Sequence, residues 1–189
     1  EMCIRDSVRP APIPDPPAVE NRRYAYLRPA KPAVGNRSAS RAVLAQALEE
    51  HRRDRLEAAV KFYEEALRLD PASTEAHQNL AVAAMQSGNL PRALSAGETA
   101  LVLQPQTGAA RLNFALALDR AGFAVDAAAE AERVVAGNPD DSAAHLLLGN
   151  LYAQQLGRPE QARAHYLRVM ELNPEHPQSI AIRRWLAGR

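Results

Sequence analysis

This sequence has little with which to do covalent chemistry. Cys3 is its one cysteine, aromatics make up 5% of its 189 residues, and lysine occurs only at Lys31 and Lys61. One cysteine builds neither a disulfide framework nor a thiolate metal cage. The histidines His51, His77, His145, His165 and His176 stand in no HExxH or other metal-ligand spacing. His77 and His145 instead fall on equivalent positions of a repeat, which points to packing. No glycine-rich phosphate loop or GxSxG elbow is present, and GNLP and GRPE read as turns. The expectation is a chain that is not an enzyme and uses no cofactor and no metal. Charge is also scarce. The formal net charge is +1, divided as +3 over residues 1–40 and −2 over residues 41–189, so no one-sided field draws nucleic acid. HRRDR at 51–55 is basic, but it lacks interleaved aromatics and is offset by Glu49 and Glu50. No apolar run approaches the ~20 residues that span a bilayer, so this segment is expected not to insert in a membrane. The dense valine, isoleucine and threonine runs of a sheet protein are missing too.

What is present begins with an unusual head. Residues 1–7, EMCIRDS, read back through the genetic code as GAG-ATG-TGT-ATA-AGA-GAC-AGN, which resembles a sequencing-library adapter translated in frame. On that reading Cys3 says nothing about redox compartment, and the natural chain continues upstream. Seven of the 14 prolines lie before residue 33. Each ring removes a hydrogen-bond donor and clashes with the preceding turn. Residues 8–39 are therefore expected to be a disordered, proline-rich linker of polyproline II character. Tyr24, Tyr26 and Leu27 interrupt it with an apolar island, read as an incidental patch or a strap against the first helix, with docking of the arm in a groove as the alternative.

From about residue 40 the texture becomes continuously helical and repetitive. The segments LRLDP, LVLQP, VAGNP and MELNP end at Pro71, Pro105, Pro139 and Pro174, at intervals of 34, 34 and 35. The extra residue of the last interval is assigned to the turn QQLGRPEQA. Small residues recur at Ala59, Ala93, Ala127 and Ala162, and a large-small pair recurs at Leu80–Ala81, Phe114–Ala115 and Leu148–Gly149. Turn glycines recur at Gly88, Gly122 and Gly157. Small residues let antiparallel helices approach, large ones fill the gaps, glycine ends the first helix of each pair, and proline ends the second. Ser73, Thr107 and Asp141 stand where N-caps are wanted. The first copy is degenerate: Gln46 and Ala47 replace the large-small pair, and Asp54 replaces the turn glycine. Gly97, in mid-helix, is read as making room for Phe114. The pattern predicts helices at 41–52, 55–69, 73–87, 90–103, 107–121, 124–136, 141–155 and 159–172. A ninth, at 177–187, carries Ile180, Ile182, Trp185 and Leu186 and is read as a polar-faced cap.

These slots and this period resemble the tetratricopeptide repeat family. The resemblance implies an all-α superhelix of eight repeat helices plus a capping helix over residues 40–189, with repeats at about 40–73, 74–107, 108–141 and 142–176. It further implies that the first helices line a concave groove that receives a protein or peptide partner. Carried over position by position, the lining is Gln78, Asn79, Val82, Met85 and Gln86; then Leu112, Asn113, Leu116, Asp119 and Arg120; then Leu146, Leu147, Asn150 and Gln154, with Leu44 and Leu48 from the first copy. Asn79 and Asn113 are equivalent, and an amide side chain can pair with an extended peptide backbone. Some family members grip acidic chaperone tails with a lysine and an asparagine where this chain has Leu44 and Leu48, so that ligand is not expected.

The leading reading is an interaction scaffold. The alternatives are a regulatory or substrate-docking module of a larger enzyme, and a self-assembly module. The lysine-poor, Ala/Arg/Pro-rich composition reads as bacterial, and the proline-rich leader suits a cell-envelope or periplasmic protein by fold-level analogy alone, with the cytoplasm as the alternative.

Overall fold

The computed structural model describes residues 22–188, and among them the chain forms helices and no strand. The helices are α1 (Arg37–Arg52), α2 (Leu56–Leu69), α3 (Thr74–Gln86), α4 (Leu90–Leu103), α5 (Gly108–Arg120), α6 (Ala124–Gly137), α7 (Ser142–Asn150), α8 (Pro159–Leu172) and α9 (Ser179–Ala187), with a π-helical turn at Leu151–Gln155 extending α7. Helices α1, α3, α5 and α7 each pack on the even one that follows, each pair packs on the next, α3 also packs on α5, and α9 packs on α8. The result is a solenoid of four helical hairpins closed by α9.

The small slot is where the hairpins close. Ala59, Ala93, Ala127 and Ala162 are completely buried, and Tyr63, Phe114, Leu118, Leu148 and Tyr152 fill the space around them. A Cβ on Gly97 would lie 2.8 Å from the Phe114 Cδ2, and one on Gly149 would lie 2.6 Å from the Tyr166 Cε1. Both glycines therefore stand where an aromatic ring crosses the helix backbone. Trp185 of α9 meets Tyr166 edge-on at 5.0 Å between ring centroids, and Ile182 is buried beneath it. Ile180, grouped with these from the sequence, is instead 75% exposed.

The hairpin turns obey one rule with two departures. In the first three copies the residue after the left-handed position donates five residues back: Arg55 to Glu50, Asn89 to Ala84 and Phe123 to Leu118. Gly88 and Gly122 supply the left-handed backbone, and in the first copy Asp54 adopts it at φ 58° without being glycine. In the fourth copy the bond runs six residues, from Arg158 to Tyr152. The extra residue of the 35-residue interval is thus absorbed inside the helix as a π turn, and not in the loop after it. Gly157 still terminates the helix at φ 63°.

Two further expectations need correction. Ser73 and Asp141 cap their helices, but Thr107 makes no cap bond; its hydroxyl goes to the Gln104 side chain instead. Asn36 and Asn89 are caps that the repeat pattern did not single out. The linker expected to be disordered through residue 39 is ordered over its described part. Helix α1 starts at Arg37 under the Asn36 cap, and residues 22–35 run extended along the second helices of three repeats. Residues 1–21, which include the adapter-like head, lie outside the described residues.

Candidate interaction surfaces

The residues expected to line the groove fall on the first helices α3, α5 and α7 and the π turn after α7. Val82, Met85, Leu112, Leu116 and Leu146 are partly exposed, as are Gln78, Asn79, Asn113, Asp119 and Asn150, while Gln86, Arg120 and Gln154 are exposed. Met85, Leu112, Leu116 and Leu146 also rest on the core, so each divides its surface between packing and solvent. Leu44 and Leu147 do not belong to a lining, being 5% and 4% exposed; their slots face neighbouring helices.

Several of these polar side chains are already engaged. The Asn79 amide donates to the Glu75 carbonyl of its own helix, and the Asn150 carbonyl accepts from the Tyr166 hydroxyl. Gln86 meets His51 at 2.8 Å, Arg120 donates to the Met85 carbonyl at 3.2 Å, and Gln155 donates to Asp119 at 2.7 Å. These last three are rungs between successive first helices. They hold the register of the face and leave the leucines, Val82, Met85 and Asn113 as its open part.

The histidines serve the same architecture. His77 Nε2 donates to the Pro71 carbonyl and His145 Nε2 to the Pro139 carbonyl, each at 3.0 Å. Arg111, at the equivalent slot, donates to Pro105. Each inter-repeat proline carbonyl thus receives a side chain six residues on. No group of three or more metal-ligating side chains occurs among the described residues, and no described helix is long and apolar enough to cross a membrane.

A second surface escaped the sequence reading. On the side opposite the expected groove, α4 and α6 flank a furrow floored by α5, and the arm lies in it. The Asp126 carboxylate accepts from the Arg23 guanidinium and, at 2.7 Å, from the Tyr24 N–H. Glu98 accepts from the Leu27 and Arg28 N–H groups at 3.0 and 2.9 Å. The Tyr26 hydroxyl donates to Glu130, which also holds Arg111 and Arg133. Asp70 takes the Gly35 N–H at 2.8 Å. All four acids are buried, a placement that carboxylates tolerate only when paired. The rings complete the seat: Tyr24 meets Phe114 and Phe123 edge-on at 5.9 and 5.2 Å, and Arg22 lies over the Phe123 ring. Burial, followed by the adjacent carboxylates, pushes the Tyr24 and Tyr26 phenols above their ordinary range. Beside the arm a cavity of about 330 Å³ remains, walled by Leu101, Val102, Pro29 and Phe114. The signal in the sequence is faint: acids at i and i+4, Asp126 and Glu130, on an otherwise alanine face.

A solenoid of paired helices with small-residue closures, a 34-residue period and two elongated side-chain faces defines a helical-repeat interaction scaffold. Sequence profiles described as tetratricopeptide repeat match residues 52–112 and 112–177, and the chain belongs to that family. Among solved structures it resembles the MamA protein, with a TM-score of 0.72 and 18% identity over 79% of each chain. It also resembles a thermophilic repeat protein of Thermus thermophilus, with a TM-score of 0.62 and 23% identity over 79% of this chain and 80% of that one. YrrB, described as a repeat protein with an unusual peptide-binding site, aligns at a TM-score of 0.62 and 21% identity over 78% and 77%. At these identities the likeness is one of fold. Comparison with curated proteins finds no match.

Proposed function

We propose that this chain is a non-enzymatic scaffold whose first-helix face receives an extended peptide or a partner's surface. The observation that carries this reading is the row of half-exposed apolar side chains, Val82, Met85, Leu112, Leu116 and Leu146, on three consecutive first helices with Asn113 among them. Apolar side chains supply affinity that tolerates sequence variation, and an amide supplies a donor and an acceptor to a peptide backbone. The rungs through Gln86, Asp119 and Arg120 keep that row in register. They act as positioning residues, which narrows the set expected from the repeat pattern.

Affinity capture with the full chain tests this, set against the Asn79→Ala/Asn113→Ala and the Leu112→Ala/Leu116→Ala variants. Loss of captured partners in either variant, with the thermal transition unchanged, supports the face. Equal capture by all three proteins argues against it. An EEVD-type chaperone tail should not bind at low micromolar concentration, because Leu44 is buried and Leu48 sits where the clamp needs a polar residue; binding there would defeat the assignment.

A further inference from the structure

The furrow on the back of the solenoid holds an extended strand, and the structure shows the sequence that fits it. Asp126 is 1% exposed and Glu98 is 5% exposed. Asp126 has its hydrogen bonds with Arg23 and the Tyr24 N–H, and Glu98 with the Leu27 and Arg28 N–H groups. Without the arm, both carboxylates would face open space above Phe114 and Phe123. Such a surface selects a segment that offers free N–H groups, a guanidinium and two aromatic rings at alternate positions. None of these contacts depends on the arm belonging to the same molecule.

The joint between arm and body supplies a second observation. Arg28 has φ 48°, a left-handed conformation that side chains rarely adopt. It sits where the chain turns from the furrow towards α1. No hydrogen bond ties residues 29–34 to the described helices, and the next anchors are the Gly35 and Asn36 N–H groups. Pro29 and Pro32 have no N–H to offer and favour an extended course. The seven peptide units from Arg28 to Gly35 reach about 24 Å when extended, enough to pass the arm to an adjoining molecule.

We propose that this furrow is a second interaction site whose partner is a second copy of this chain. The arm from residue 22 to the Arg28 N–H leaves its own body and seats in the neighbour's furrow, so that two copies exchange arms and close a two-fold dimer. Seating within one molecule benefits from an effective concentration on the order of millimolar. The strained joint at Arg28 acts against that advantage, and exchange rises with protein concentration.

Two full-length variants test the exchange by complementation. The donor, Glu98→Lys/Asp126→Lys, keeps its arm but repels it from its own furrow. The acceptor, Arg23→Ala/Tyr24→Ala/Tyr26→Ala, keeps the furrow but cannot fill it. Sedimentation velocity at roughly 0.1 mM, below that effective concentration, should show each variant monomeric and the mixture forming a one-to-one complex. An excess of the peptide RRYAYLRP, residues 22–29, should dissolve that complex. A mixture that stays monomeric overturns the proposal. So does peptide binding to the acceptor without complex formation, which would assign the furrow to a foreign segment. A dimer that persists in both variants alone also overturns it, since another face would be responsible. Should either variant lose its helical circular dichroism, Arg28→Gly provides the test in an otherwise native chain. By relaxing the joint it should lower the dimer fraction at least threefold against wild type, and an unchanged fraction refutes the exchange.

Discussion

At the scale of the residue, two positions show how a repeat departs from its own pattern. Gly97 costs about 1 kcal/mol of helix propensity relative to alanine, yet a Cβ there would collide with the Phe114 ring, which is fully buried. Overpacking costs about 1–3 kcal/mol, so the collision outweighs the propensity. Gly97→Ala is expected to lower the melting temperature, and a thermal melt that rises instead would remove this account. Asp54 is the opposite case. It holds the left-handed position that glycine takes in the other copies, and L-residues are penalised there by roughly 1 kcal/mol. Asp54→Gly should therefore raise the denaturation midpoint by an amount equivalent to about 1 kcal/mol. An unchanged midpoint would mean that the Asp54 side chain offsets the strain.

At the scale of the element, the repeated proline carbonyls connect stability to pH. The His77 and His145 Nε2 atoms must carry hydrogens, because carbonyl oxygens only accept. His145 Nδ1 and His165 Nδ1 face each other at 2.9 Å, so only one of the two can carry a hydrogen in that contact. Burial lowers the His77 pKa below its ordinary 6.5, with the Pro71 carbonyl acting the other way. Burial and then His145 lower that of His165, opposed by Glu132. Because the folded-state values are depressed, the unfolded chain binds more protons in acid. The stability these imidazoles contribute is complete above 6.5 and is lost as pH falls through the folded-state values. Thermal melts at pH 7.5 and pH 5 should show a lower transition in acid, and His165→Gln should narrow the gap. A pH-independent melt would contradict the lowered values of His77 and His165.

At the scale of the whole molecule, the arm joins repeats that are otherwise linked only to their neighbours. Stability of a solenoid is close to a sum of repeat and nearest-neighbour terms. An arm that touches α2, α4 and α6 adds a link across three repeats. Tyr24→Ala/Tyr26→Ala removes edge-on ring contacts worth about 0.5–1.5 kcal/mol each. Limited proteolysis should then cut within residues 22–35 well before the helices, and the urea midpoint should fall. Resistance equal to that of wild type would show that the rings do not hold the arm.

Much of the helical part was legible because its determinants are local and periodic. The proline interval, the small slot at Ala59, Ala93, Ala127 and Ala162, and the turn glycines each act within one hairpin, so one chain displays the rule several times over. Even the place of the extra residue could be read. Gly149 to Gly157 spans one residue more than Ala81 to Gly88, while Gly157 to Ala162 matches Gly88 to Ala93, which puts the insertion before the turn. The groove positions were legible as slots only. Which of them remain open depended on rungs such as Gln155 to Asp119, which cross between copies.

The repeat, its hairpin boundaries and the capping helix were thus written in the amino-acid order alone, since spacing at 3.6 residues per turn and backbone-restricting residues act within short stretches of chain. The course of residues 22–35 came from long-range packing. The arm's partners, Asp126, Glu130 and Glu98, lie about 70 to 100 residues away in sequence. No local periodicity marks such a pairing. Proline content argues only against a helix, and it took the buried carboxylates of α4 and α6 to give that segment a place.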